Sequence, residues 1–132
     1  MAHSGQELEA ANGVRLRLVS IEDELLEMEA RYPGDGQLPP EHLHPRQDEH
    51  FEVLEGNVRA VVDGEERIYE AGEAFDVPAG TPHQMAAESP ARFRWEVRPA
   101  LRTAEFFETL YGGDAGPNFL EEFSEEFRLT AG

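Results

Sequence analysis

Four side chains able to ligate a metal stand near one another in this chain. They are His42 and His44 in Glu41-His42-Leu43-His44-Pro45, Glu49 five residues on, and His83 closing Pro78-Ala79-Gly80-Thr81-Pro82-His83. Alternate residues of a strand point to one face, so His42 and His44 can present two imidazoles side by side. A short turn through Pro45 to Asp48 returns the chain and aims Glu49 at the same point. His83 arrives separately from a Pro/Gly-rich turn. Neutral imidazoles with a carboxylate suit zinc, nickel, iron, cobalt or manganese, all of which accept mixed nitrogen and oxygen shells.

Histidines are common on surfaces, and one alone seldom binds anything. Here four of the five fall between positions 42 and 83. His50 alternates out of phase with Glu49 and is expected to point away, as a solvated or interface residue. His3 sits in a polar N-terminal stretch and carries no weight.

Strands must position these groups. Val14, Leu16 and Leu18 alternate with Arg15 and Arg17, a half-buried strand over 13–20. Residues 21–31 are ambiguous, since Leu25, Leu26 and Met28 could form a helical turn while Leu26, Met28 and Ala30 also alternate. Residues 32–40 hold three prolines and two glycines and read as a loop. Glu49, Phe51 and Val53 share one face of the next strand. Residues 58–62 pair with 67–70 across Asp63-Gly64, a hairpin signal. The phase changes between Val53 and Val58, so Gly56 marks a bulge or turn. Further strands cover 73–77, the run after His83, and 92–98, where Phe93, Trp95 and Val97 form the apolar face.

Beyond Pro99 the period changes. Thr103 is expected to cap a helix over 104–111, ended by Gly112-Gly113, with Phe106, Phe107 and Leu110 as its stripe. Asn118 is expected to cap a second helix carrying Phe119, Leu120, Phe123 and Phe127.

Gly36, five residues, His42-x-His44, four residues, Glu49, six residues and Gly56 resembles the first motif of the cupin superfamily. Gly72, five residues, Pro78-x-Gly80, two residues and His83 resembles the second. The family pattern ends on an asparagine four residues past the histidine, where this chain has Ala87. Fifteen residues separate the motifs, and the resemblance extends over about residues 13–99. It implies an all-β protein, a cupin-type antiparallel β-barrel or jelly roll, with one metal ion held by His42, His44, Glu49 and His83. It also favours a strand over 21–31. The expected organisation is one domain over 1–132, with the barrel at about 13–99 and a helical C-terminal extension at about 103–131.

Composition bounds the partners. The 132 residues are long enough for a core without staples. With no cysteine, thiolate metal sites and disulfides are excluded. The formal charge of −17 disfavours nucleic acid and anionic lipid surfaces. All eleven basic residues are arginine, which excludes Schiff-base chemistry on a lysine side chain. No apolar run has the length of a membrane span or the character of a secretion signal, so the expected location is the cytoplasm.

Three imidazoles and a carboxylate leave coordination positions open on a five- or six-coordinate ion, as a catalytic site requires. Glu49 is the internal acid/base candidate, and its plainer role is to neutralise the ion's charge. By phase, Phe51, Val53, Phe75, Val77, Met85, Trp95 and Val97 surround the site, a lining suited to a small, largely apolar molecule. Each of them singly could equally be plain core. The expected function is a mononuclear metal-dependent enzyme of oxygenase, isomerase or lyase type using zinc, nickel, iron or manganese. The alternative is a non-catalytic metal or small-molecule binding module. A homodimer is expected from the aromatic surplus of the C-terminal segment.

Overall fold

The structure is a computed structural model that describes residues 2–130. Two antiparallel sheets face each other around one apolar core. The first holds six strands in the order β1 (Glu7–Glu9), β2 (Arg15–Ile21), β3 (Leu26–Tyr32), β10 (Ala91–Arg98), β5 (Asp48–Glu55) and β8 (Ala74–Val77). The second holds five, in the order β11 (Arg128–Leu129), β4 (His42–Leu43), β9 (His83–Ala86), β6 (Asn57–Val62) and β7 (Glu65–Glu70). This is the all-β sandwich expected of the two motifs. The ambiguous stretch 21–31 contributes β3, because Leu26, Met28 and Ala30 all turn into the core at period two.

Strand alternation fills the core from both sheets. Leu16 and Leu18 of β2, Phe51 and Val53 of β5, Phe93 and Val97 of β10, and Val58 and Ala60 of β6 are all buried. Burying each large aliphatic or aromatic side chain contributes about 1.5–3 kcal/mol against the entropy of ordering it. The β6–β7 hairpin turns at Asp63 (φ 52°) and Gly64 (φ 80°), the pair of positive angles a two-residue type I′ turn requires. Gly56 lies where the chain passes from β5 in one sheet to β6 in the other. A Cβ there would meet the Pro90 carbonyl oxygen at 2.5 Å, so no larger residue fits.

The C-terminal third departs from expectation in three ways. Helix α1 (Thr103–Tyr111) forms, but Thr103 does not cap it; its hydroxyl accepts instead from the buried amide of Gln47 at 2.8 Å. Helix α2 (Phe119–Glu122) has only four residues, and Asn118 makes no side-chain cap. The chain then straightens into β11, which pairs with β4 through Arg128↔Leu43 and Leu129↔His42. Period-3.6 spacing in residues 119–127 was thus satisfied by a turn and a half of chain that wraps an aromatic cluster. Phe106 touches Phe119, Phe123 and Phe127 at centroid distances of 5.0, 5.6 and 4.9 Å. The aromatics behind the expected homodimer are therefore largely spent within one chain, since Phe106, Phe107, Phe119 and Phe123 are buried without a partner. Among the described residues no helix is long and apolar enough to cross a membrane.

Candidate metal centre

Each of the four expected ligands reaches the site from a different local geometry. His42 is in β4 and lies directly opposite His83 of β9. His44 is one residue beyond the end of the two-residue strand β4, carried by the turn that leads to β5. Glu49 is the second residue of β5, opposite Val97 of β10 and Val77 of β8. Glu49, His44 and His83 are buried, and His42 is half-buried.

The three imidazoles converge, with one ligand atom from each lying within 4.8 Å of the others. Each ring is anchored by its far nitrogen. His42 Nδ1 meets the Pro40 carbonyl at 3.1 Å, His44 Nδ1 the Glu126 carbonyl at 2.7 Å, and His83 Nδ1 the Thr81 carbonyl at 2.9 Å. A carbonyl only accepts, so Nδ1 carries the proton in all three, and Nε2 of each neutral ring presents a lone pair. Hydrogen bonds of this kind orient metal-ligating histidines.

Glu49 stands beside the cluster. Its Oε1 is 3.0 Å from His83 Nε2 and 3.2 Å from His44 Nε2. Neither approach is aligned as a hydrogen bond, and both His44 Nε2 and Glu49 Oε1 are buried without a hydrogen-bond partner. Buried polar atoms left this way cost about 1–3 kcal/mol each. A cation between them would remove that penalty, so the donor set fits a divalent metal. The second carboxylate oxygen is occupied: Trp95 Nε1 donates to Glu49 Oε2 at 2.7 Å. Trp95 is two residues along β10 from Val97, the cross-strand partner of Glu49, and so lies diagonal to it on the same face.

The electrostatics express the same demand for positive charge. Burial would raise the pKa of Glu49, but the adjoining His44 and His83 outweigh it and hold the carboxyl far below the usual carboxylate range. Burial pushes His42 down to about 4, helped by the neighbouring His83 and His44. At His44, burial lowers the pKa, but the Glu49 carboxylate and the Glu126 carbonyl overbalance it, and the net shift is upward.

The cluster opens into a cavity of about 280 Å³, near the lower end of the roughly 300–1,000 Å³ usual for small-molecule sites. Of the seven side chains expected around it, Phe51, Phe75, Val77, Met85 and Trp95 line it. Val53 and Val97 do not; both are sealed in the core at 1% exposure. Alternation assigns a residue to a face, but it does not say whether neighbouring side chains cover it; Val97 lies directly opposite Glu49 and is still sealed. The wall also contains Tyr32, Phe106, Phe107, Tyr111, Phe127 and Leu129, which reading by strand phase missed. Tyr32 continues the inward phase of Met28 and Ala30, and Tyr111 falls one helical turn after Phe107, so both had a periodic signal. Phe127 carried helical spacing with Phe119 and Phe123, which did not point to the cavity, because its ring stacks on His42 (4.8 Å, 19°) only after the chain has left α2. His50 points outward to Asp76, Nδ1 to Oδ1 2.7 Å, as its phase implied.

With this geometry in place, the comparisons with known proteins are specific. Residues 28–97, more than half of the chain, match the Cupin_2 family model, described as a cupin domain. The chain belongs to the cupin family. Among known proteins, this cupin is 36% identical over 56 residues to Quercetin 2,3-dioxygenase of Bacillus subtilis (strain 168). That match covers 42% of this chain and only 17% of the dioxygenase. Among solved structures, KdgF from Halomonas sp. superposes with a TM-score of 0.68 at 22% identity, covering 74% of this chain and 91% of KdgF. An RmlC-like cupin from Shewanella frigidimarina gives a TM-score of 0.68 at 21% identity, covering 75% and 87% respectively. At these identities the structural matches speak for the fold alone.

Proposed function

We propose that His42, His44, Glu49 and His83 hold one divalent cation, and that this cupin is an enzyme acting on a small, largely apolar molecule in the adjoining cavity. The observation that carries the reading is the convergence of three imidazoles on one another, each tied through Nδ1 to a backbone carbonyl, with a buried carboxylate oxygen that lacks a hydrogen-bond partner beside two of them, His44 and His83. A divalent ion on such a donor set supplies Lewis-acid polarisation of a bound oxygen, and a redox-active one adds electron transfer.

The chain's own residues would do the rest. Trp95 would fix the Glu49 carboxylate through Oε2 and hold Oε1 toward His44 and His83. The aromatic and aliphatic wall excludes water and strengthens every polar contact inside it. The partial match to Quercetin 2,3-dioxygenase makes oxygenase chemistry the first reaction class to assay, ahead of isomerase and lyase chemistry.

A second reading, a non-catalytic binding module, is favoured by one observation. A carboxylate held as far below neutrality as Glu49 is a weak proton acceptor. The test is elemental analysis of protein purified without chelator and of protein reloaded with zinc, nickel, iron or manganese, coupled to oxygen-uptake assays with small phenols and diketones. One metal per chain, lost in His42→Ala, is expected, with turnover distinguishing enzyme from binding module. A wild-type protein that takes up none of the four metals sinks the proposal.

A further inference from the structure

The cavity holds two polar groups that the metal centre does not use. Tyr32, the last residue of β3, and Tyr111, the last of α1, both line it. Tyr32 is set edge-on against Phe93 (5.0 Å, 73°), and Tyr111 against Phe107 (5.6 Å, 61°). Packing of this kind leaves each ring little freedom. Both residues are half-buried, and among the described residues neither hydroxyl has a hydrogen-bond partner in the protein, so both are available to a ligand in the cavity.

The other polar side chains of the wall are committed. Trp95 donates to Glu49, and Gln84 donates to the Pro39 carbonyl at 2.9 Å. Among the described residues no arginine lines the cavity, and the two phenols are its hydroxyl donors without a partner in the protein. Tyr32 also lies close enough to Tyr111 and to Glu49 to be influenced by their charge, and both phenols line the same cavity. Burial first, and for Tyr32 then these neighbours, pushes each phenol above its ordinary value, to about 12 for Tyr111, so both keep their protons at neutral pH.

We propose that Tyr32 and Tyr111 form a second polar station in the cavity, which receives an acceptor oxygen of an uncharged, largely apolar ligand whose other polar group meets the metal. This rests on the metal-binding reading above and narrows its substrate class. A carbonyl or ether oxygen fits two neutral donors, whereas a distal carboxylate or phosphate would enter an apolar wall with no cation to meet it. Tyr32 and Tyr111 are positioning and specificity residues.

The test compares two nearly isosteric phenols on zinc-loaded protein by isothermal titration. They are 4-(4-hydroxyphenyl)butan-2-one and 4-butylphenol, which differ in one carbonyl oxygen insulated from the ring, so the acidity of the phenol is matched. Wild type should bind the ketone about tenfold more tightly, as two modest neutral hydrogen bonds allow. Tyr32→Phe and Tyr111→Phe should each remove part of that preference and the double variant all of it. Zinc content and 4-butylphenol affinity should not change. Equal or undetectable binding of the two phenols by wild type overturns the inference, as does a preference that survives in the double variant. A wild type that takes up none of zinc, nickel, iron or manganese overturns the metal site itself and this inference with it, whereas full metal loading with no ketone preference overturns only the tyrosine station.

Discussion

His44 Nδ1 donates to the backbone carbonyl of Glu126 at 2.7 Å, joining two residues 82 positions apart. The bond ties the C-terminal segment to the metal centre. On either side of it Phe127 stacks on His42 and β11 pairs with β4, so the last described residues form one wall of the site. The Glu126 side chain is itself buried, with Oε2 accepting from the Arg102 N–H at 3.2 Å.

Replacing Phe127 with alanine should therefore act on both stability and metal binding. The ring is half-buried between His42 and Phe106, and its loss should cost about 2 kcal/mol, less than a fully buried phenylalanine. Zinc affinity should fall roughly tenfold as His42 loses its orientation. Denaturant unfolding and competition with a chromogenic chelator measure the two effects, and an unchanged affinity would show that the stack does not position His42.

Trp95→Phe keeps the bulk of the ring and removes one donor. Glu49 Oε2 then loses its 2.7 Å partner in a buried setting. The metal-free protein should lose about 1.5–3 kcal/mol, the usual worth of a hydrogen bond to a charged group. Metal-loaded protein should lose less, because a bound cation neutralises the carboxylate. Equal losses with and without zinc would contradict the proposed role of Glu49 as a ligand.

The metal-free protein should be most stable near pH 6.5 as far as this site is concerned. His42 is depressed from its ordinary 6.5 to about 4, so its contribution is present above 6.5 and lost as pH falls through about 4. Glu49, held low, acts in the same direction but further into acid. His44 is shifted the opposite way, so its contribution is full below 6.5 and lost as pH rises through its raised value. Zinc binds the unprotonated rings, so the upward shift of His44 sets protons in competition with the metal and apparent zinc affinity should fall as pH is lowered. An affinity that does not change with pH would contradict imidazole ligation.

A homodimer is still proposed, but its seam cannot be the buried C-terminal aromatics. What remains outside is Ile68 on the edge strand β7, at 62% exposure, with Leu101, Leu110, Leu120 and Leu129 elsewhere. Sizing at low micromolar concentration should give twice the 14.8 kDa chain mass, and Ile68→Glu should shift it toward the monomer. Lowering the salt should do the same, because two chains of charge −17 repel. A mass of 14.8 kDa at every salt concentration rules the dimer out.

Period-two alternation and turn chemistry marked most of the strands, while the barrel itself and the strand over 21–31 rested on the resemblance to cupins. A strand that buries one face must write that face into every second residue, and Asp63-Gly64 admits few turns. The histidine cluster was legible because His42 and His44 are local, while joining Glu49 and His83 to them rested on spacing together with the resemblance to the cupin motifs. Tertiary structure alone decided the rest. The imidazole anchors at Pro40 and Thr81 are near in sequence, but the one at Glu126 is a main-chain carbonyl, for which no side-chain pattern exists. Residues 119–127 carried helical spacing, yet the phenylalanines gain more by packing on Phe106 and His42 than four further residues of exposed helix would return. Val53 and Val97 shared the right face but are covered by their neighbours in the core, Val97 even though it lies directly opposite Glu49. Local periodicity states which way a side chain points, but where several elements meet is set by their mutual packing.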